Sequence, residues 1–447
     1  MTLLIICPDY ASHLLPLATL GTAWRDAGQR VVVATGPATA PIVESFGFER
    51  VQLQLGKGSN PGVIRAEDQP AGEDDALRGF FDATRRGMTE TLAFQAEARL
   101  SDFMWEPVRV GRDVQAVVES VAPDAIIVDH LAFSSRLALD AAGISYADVL
   151  VGHPSALPLA GEVYGFPPAW PGAFAPEQGE LETLRRLCDR VSDSFTAEWN
   201  AALAELNPSA TPSESAFAEH GDLLLLNYPE ELADDARVEA LPRHVFLGSS
   251  VREEAPDPEV ERWLASSDQP FVYVSFGSFL SVRSDVTAKV ASSLESLGLR
   301  VALALGSGDR QALGDLPDSW LVREFLPQVR LLGEAAAAVT HGGNNSVTEA
   351  MTFGVPLVVL PFSTDQFAGA EAIEREGFGV ALAPNEATVA ELQAAISAAV
   401  ALPRDRFDAV SSNLRQSPGS VRAFEALAAA DPSTNARIAV TSPAASL

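Results

Sequence analysis

Val339-Thr340-His341-Gly342-Gly343-Asn344-Asn345-Ser346-Val347-Thr348-Glu349-Ala350 sets a histidine, two glycines and two asparagines at the end of an apolar run. The pattern predicts a strand ending at Thr340, a glycine-rich turn, and a helix from about Ser346 to Gly354. Free backbone N–H groups and the positive end of the helix dipole suit such a turn to an anion. The Ser346 hydroxyl and a ring N–H of His341 add donors, so a diphosphate could be held there with few full positive charges. Ser346-x-x-Glu349 fits a capping box equally well, in which the glutamate serves its own helix. A second strand-to-helix turn, Pro361-Phe362-Ser363-Thr364-Asp365-Gln366, brings an acid and an amide to the same sheet edge. Asp365 also suits a helix-start acid.

A different chemistry stands near the first residue. His13 follows the apolar run Leu3 to Cys7 and precedes Pro16 by three positions. A neutral imidazole can take a proton from an attacking hydroxyl if a partner holds the ring and stabilises the charge that forms. Asp129, just past the apolar run Ala125 to Val128, is the candidate partner, with capping of the next helix as its other reading. The neighbouring His130 is expected to face away. A lone histidine is more often structural than catalytic; position at the carboxyl end of a buried strand, where α/β sheets bind ligands, selects His13. No Asp-x-Asp occurs, and the nearest approach, Asp257-x-Glu259, falls in an acidic proline-containing stretch, so no metal is expected.

These residues need elements to position them, and one pattern of elements occurs twice. Residues 2–35 read as strand, loop, helix (Pro16 to Ala27), Gly28 and strand; residues 271–306 repeat the order, with Gly277 and Ser278 in the loop. Short continuous apolar runs of this kind are strands buried in parallel sheets. Further strands are expected at 125–128, 223–226, 321–323, 336–340 and 356–360. The fold class is therefore α/β with two doubly wound, Rossmann-like domains facing a cleft. The expected limits are 1–235, a linker at 236–258, a second domain with C-terminal helices at 259–430, and a disordered tail at 431–447.

Composition narrows the partners. The chain of 447 residues has 31 basic and 60 acidic side chains, a net charge of −29. Such a surface repels phosphate backbones and anionic membranes, and no concentrated basic patch offsets it. Cys7 and Cys188 are the only cysteines and form no ligand cluster. With no signal peptide and no apolar window long enough to span a bilayer, a cytoplasmic monomer or homodimer is expected. Bulky apolar residues gather where regular alternation weakens: Phe80, Phe81, Phe94, Phe103, Met104, Trp105, Phe166, Trp170 and Phe174. Each alone suits a core; as a set they suit an apolar ligand pocket, with Phe80, Phe81, Phe133, Phe166 and Trp170 as its candidate wall.

The stretch Phe325 to Gln366 resembles the nucleotide-sugar signature of the family 1 glycosyltransferases. The matching pieces are Pro327-Gln328, Thr340-His341-x-Gly343, Asn345-Ser346, Glu349, Gly354-Val355-Pro356 and Asp365-Gln366, and similarity extends to His13-x-x-Pro16 and the Asp129 segment. The resemblance implies the GT-B fold and an inverting transfer from a UDP- or dTDP-sugar, without metal, to a hydrophobic small molecule such as a polyketide, macrolide or phenol. It implies base stacking on Phe325, where the family has tryptophan; base and ribose contact at Gln328; and diphosphate contacts at His341, Gly343, Asn345, Ser346 and Ser278. It also implies ribose hydroxyls on Glu349, sugar hydroxyls on Asp365 and Gln366, and His13 as general base paired with Asp129; Ser12 replaces the family's glycine. Two other expectations remain open: a sugar-nucleotide epimerase, which also uses two Rossmann domains, and a non-catalytic nucleotide-sugar binder, which needs neither His13 nor Asp129.

Overall fold

A computed structural model of the chain describes residues 1–62, 73–100 and 103–430. The tail expected to be disordered, 431–447, lies outside the described residues. One sheet contains β1 (Thr2–Ile6), β2 (Arg30–Thr35), β3 (Glu49–Gln52), β4 (Ala125–Asp129), β5 (Ala147–Leu150), β6 (Leu223–Leu226) and β7 (His244–Phe246). The other contains β8 (Phe271–Ser275), β9 (Arg300–Ala304), β10 (Leu321–Arg323), β11 (Ala337–Thr340), β12 (Leu357–Val359) and β13 (Gly379–Ala381).

Every pairing is parallel, and the orders are β3-β2-β1-β4-β5-β6-β7 and β10-β9-β8-β11-β12-β13. In each sheet the order reverses once, between β1 and β4 and between β8 and β11. At such a reversal the loops leave the strand ends in opposite directions and open a crevice, which is where open α/β sheets bind ligands. His13 and Asp129 follow one reversal; Gly277 and His341 follow the other.

Three differences from the sequence reading have physical causes. The helix after β1 runs Ala11–Asp26, so Pro16 lies inside it rather than at its start. Within the expected linker, 236–258, Asp235–Ala240 is helical and His244–Phe246 is the edge strand β7, too short to show as an apolar run. The final helix, Gly419–Ala430, does not stay with the second domain. It packs on Ala11–Asp26, with Ala423 fully buried and the Trp24 and Phe424 rings 5.0 Å apart at 77°.

Candidate active site

His13 and Asp129 meet because β1 and β4 are hydrogen-bonded neighbours, with Ile6 opposite Val128. His13 sits in the first turn of Ala11–Asp26, and its Nδ1 is 2.8 Å from Asp129 Oδ2. A carboxylate only accepts, so Nδ1 carries the proton and Nε2 keeps its lone pair. Asp129 does not cap the next helix, Phe133–Ala142, whose N-cap is Ala132; its Oδ1 instead accepts from the Leu131 backbone N–H at 2.8 Å, fixing the turn after β4. The pair is graded in exposure, with 23% of the His13 side chain accessible against 1% for Asp129.

Burial favours the neutral His13 ring, but the bonded Asp129 carboxylate and the more distant Asp365 outweigh it, and the pKa stays above 6.5. A base with a raised pKa loses its competent form as pH falls through that value. With His13 as the general base expected from the sequence, the acid limb of kcat/KM against pH should lie above 6.5, and Asp129→Asn should move it to lower pH while slowing the reaction. A limb that stays in place in the variant would contradict the coupling.

His13 lines a cavity of roughly 420 Å³ between the domains. Asp129 is on the same wall; opposite are Gly277, His341, Gly343, Asn344, Asn345, Ser346, Thr364 and Asp365. The helix after β11 spans Asn344–Phe353, earlier than Ser346, with Gly343 as a side-chain-free cap, so its first-turn N–H groups border the cavity. The His341 imidazole lies between two glycines. A Cβ on Gly343 would come 2.4 Å from its Nε2, and one on Gly277, at φ +69°, would come 2.9 Å from its Cε1. Burial lowers the His341 pKa to about 4, so the ring is neutral at physiological pH. The side chain of Ser278 lies outside the described residues.

Glu349 does not form the capping box. Its carboxylate is buried, Oε1 accepting from Arg252 Nη1 at 2.8 Å and Oε2 from Gln328 Nε2 at 2.6 Å. The Gln328 oxygen lies 3.5 Å from Ser346 Oγ, which links this network to the glycine-rich turn. Phe325 is 55% exposed, an accessible ring face beside this network in sequence. Phe325, Gln328 and Glu349 stand off the wall of the main cavity.

Gln366 is placed differently from expectation. Its amide oxygen accepts from the Phe362 and Ser363 N–H groups at 3.0 and 3.2 Å, tying the loop before it, and it does not reach the cavity. Thr364 in that loop has φ +52°, a region costly for a β-branched residue, and its hydroxyl donates to Asp365 Oδ1 at 2.9 Å. Asp365 Oδ2 accepts from the His153 backbone N–H at 2.7 Å, across the domain boundary.

Both asparagines of the turn reach the first domain. Asn344 Nδ2 donates to the carbonyls of Val151 and Asn227, at 2.7 and 2.8 Å, past the ends of β5 and β6. Asn345 Nδ2 donates to the Ser12 carbonyl at 2.9 Å. Pro16 explains why that carbonyl is open: it has no N–H to give to residue 12, four positions earlier. Thus His13-x-x-Pro16 exposes the backbone acceptor beside the histidine, and the glycine-rich turn fills it. Asn345, expected on a diphosphate, is here an interdomain contact.

The aromatic wall is smaller than expected. Phe166 lines the main cavity, and Phe133 lines a smaller one beside His13, Tyr10 and Phe103. Trp170 packs against Phe166 at 6.5 Å without reaching the cavity. Phe80 and Phe81 are buried in the core of the second domain, because the helix Glu73–Arg86 crosses to it. That crossing is fixed by Arg283 and Asn385, which donate to the Thr84 carbonyl at 3.1 and 2.9 Å. His130 does turn toward Asp148, at 2.9 Å, yet it also lines the main cavity.

Residues 186–407 match the family model described as UDP-glucoronosyl and UDP-glucosyl transferase. Over that span the chain resembles the family 1 glycosyltransferases. It is 28% identical over 401 residues, 88% of each chain, to the NDP-glycosyltransferase YjiC of Bacillus subtilis (strain 168). Among solved structures, the glycosyltransferase of kitacinnamycin superposes with a TM-score of 0.68 at 20% identity, covering 96% of this chain and 99% of that one. Glycosyltransferase VinC in complex with dTDP gives 0.65 at 18% identity, covering 96% and 99%. The two-sheet architecture of this glycosyltransferase is the GT-B fold, and its donor is a nucleotide-sugar. No described helix is long and apolar enough to cross a membrane.

Proposed function

We propose that the enzyme moves a hexosyl group from a UDP- or dTDP-sugar to a hydroxyl of a hydrophobic small molecule by a single in-line displacement with inversion. The observation that carries this reading is the His13–Asp129 pair at 2.8 Å on one wall of a cavity whose opposite wall is the glycine-rich turn. His13 Nε2 takes the acceptor proton as the acceptor oxygen attacks the anomeric carbon. The nucleoside diphosphate leaves, and its growing charge is met by the N–H groups at the start of Asn344–Phe353. An α-linked donor then gives a β-glycoside. In this reading Asp365, which lines the same cavity, accepts from the sugar's hydroxyls. Relatives include a zeaxanthin glucosyltransferase of Pseudescherichia vulneris, which supports a lipophilic acceptor.

The diphosphate part of the donor site draws on backbone N–H groups and the neutral side chains of His341 and Ser346, so the reaction is expected to need no metal. Incubating the protein with a panel of NDP-sugars and phenolic, macrolide and polyketide acceptors, read by mass spectrometry, tests the proposal. A glycoside product supports it. Conversion of the NDP-sugar without any acceptor would favour the epimerase instead. Rates should be the same with and without EDTA; loss in EDTA that manganese or magnesium restores would overturn the metal-free reading.

A further inference from the structure

One charged group on the cavity wall has no charged counterpart among the described residues. Arg99 ends the helix Met88–Arg99, two turns after Leu92 on the same helical face, and both residues line the main cavity. Among the described residues it is the sole lysine or arginine on that wall, beside Tyr164, Gly165 and Phe166. Its guanidinium packs on the rings of Tyr164 and Phe103, at 5.4 and 6.0 Å. Among the described residues it makes no ion pair and no hydrogen bond. A cation in a last helical turn ordinarily serves the free carbonyls there, and Arg99 donates to none of them. The two acids on the wall, in contrast, are engaged: Asp129 by His13 and Leu131, Asp365 by His153.

A neutral apolar acceptor covering Arg99 would strip water from an unpaired charge, which is unfavourable. A carboxylate would instead receive parallel N–H donors from the guanidinium fork. The surface charge of −29 sharpens the point, since an anionic acceptor must be captured against a repelling field and needs a local cation.

Building on the transferase reading above, we infer that the natural acceptor is an amphiphilic acid: an apolar body with the hydroxyl to be glycosylated, and a carboxylate or similar anion held by Arg99. The test pairs acceptors that differ in one group, 7-hydroxycoumarin and 7-hydroxycoumarin-3-carboxylate, with an aliphatic alcohol and its hydroxy acid as a second pair. The wild-type enzyme should favour the acid of each pair in kcat/KM, and less so at high salt. Arg99→Met should lower the acid-to-neutral ratio by about 10- to 100-fold, the scale of a charge-assisted hydrogen bond, and Arg99→Lys by less. A wild-type enzyme indifferent to the carboxylate, or an Arg99→Met variant that slows both members equally, overturns the inference and leaves the transferase reading standing. Transfer to none of the four, with the donor still bound in calorimetry, defeats both.

Discussion

His13→Ala should lower kcat by about 10² to 10⁴, the usual worth of a positioned general base, while leaving the affinity for a UDP-sugar nearly as it was. The two quantities separate because of where the residue sits. The side-chain partner of His13 is Asp129 in its own domain, whereas the turns assigned to the donor belong to the other sheet. Stopped transfer assays and calorimetry on the same preparation check this, and unchanged turnover would remove His13 from the mechanism. A modest loss of stability is expected as well. Asp129 is 1% exposed and would lose one of its two hydrogen bonds, at a cost of about 1 to 3 kcal/mol. Melting temperatures should therefore be recorded so that unfolding is not mistaken for lost chemistry. His13→Gln makes a useful companion, since its amide can still donate to Asp129 but cannot accept the proton.

How much of this was legible in the sequence depended on whether the signal was local. Strands buried on both faces announce themselves, and β1, β2, β8 and β9 are visible as apolar runs. The strands invisible in the sequence lack that signal. β3 is the largely exposed edge Glu-Arg-Val-Gln, β7 and β13 are edge strands of three residues, and β5 interrupts its apolar run with Asp148. That aspartate is tolerated at full burial because His130 lies 2.9 Å away and the Arg136 guanidinium 3.5 Å away, a pairing made by three separate elements. Periodicity cannot show such a thing. The same holds for Arg252, which reads as one charge in an acidic linker and turns out to neutralise Glu349 from 97 residues away. Phe80 and Phe81 failed in the opposite direction: their apolar character was plain, but no pattern within Glu73–Arg86 tells which domain the helix will pack against. Pro16 shows a middle case. Its spacing from His13 is plain in the sequence, while the consequence, a Ser12 carbonyl left open by the helix, depends on the helix beginning at Ala11.

Glu349→Ala should weaken binding of a UDP-sugar by about 10²-fold, since hydrogen bonds to a charged group contribute roughly 1.5 to 3 kcal/mol and the ribose offers two hydroxyls. The structure removes the competing capping role, because the helix starts at Asn344 and Glu349 bonds to Arg252 and Gln328 instead. Stability complicates the measurement. Taking one partner from a buried ion pair typically destabilises by about 3 to 5 kcal/mol, and Arg252 would be left beside Glu254 alone. The double substitution Glu349→Ala with Arg252→Met separates the effects: it removes both charges, so melting temperature should recover while donor affinity stays low. Glu349→Gln should fall between wild type and alanine, because its amide oxygen accepts one hydroxyl without the charge. Burial already raises the Glu349 pKa, with Arg252 pulling it back down. Donor affinity in Arg252→Met should accordingly decline at a higher pH than in the wild type as the medium is acidified, because the protonated carboxyl is a poorer acceptor. Calorimetric titrations of a UDP-sugar across pH read this directly, and an affinity unaltered in Glu349→Ala would take the ribose away from this residue.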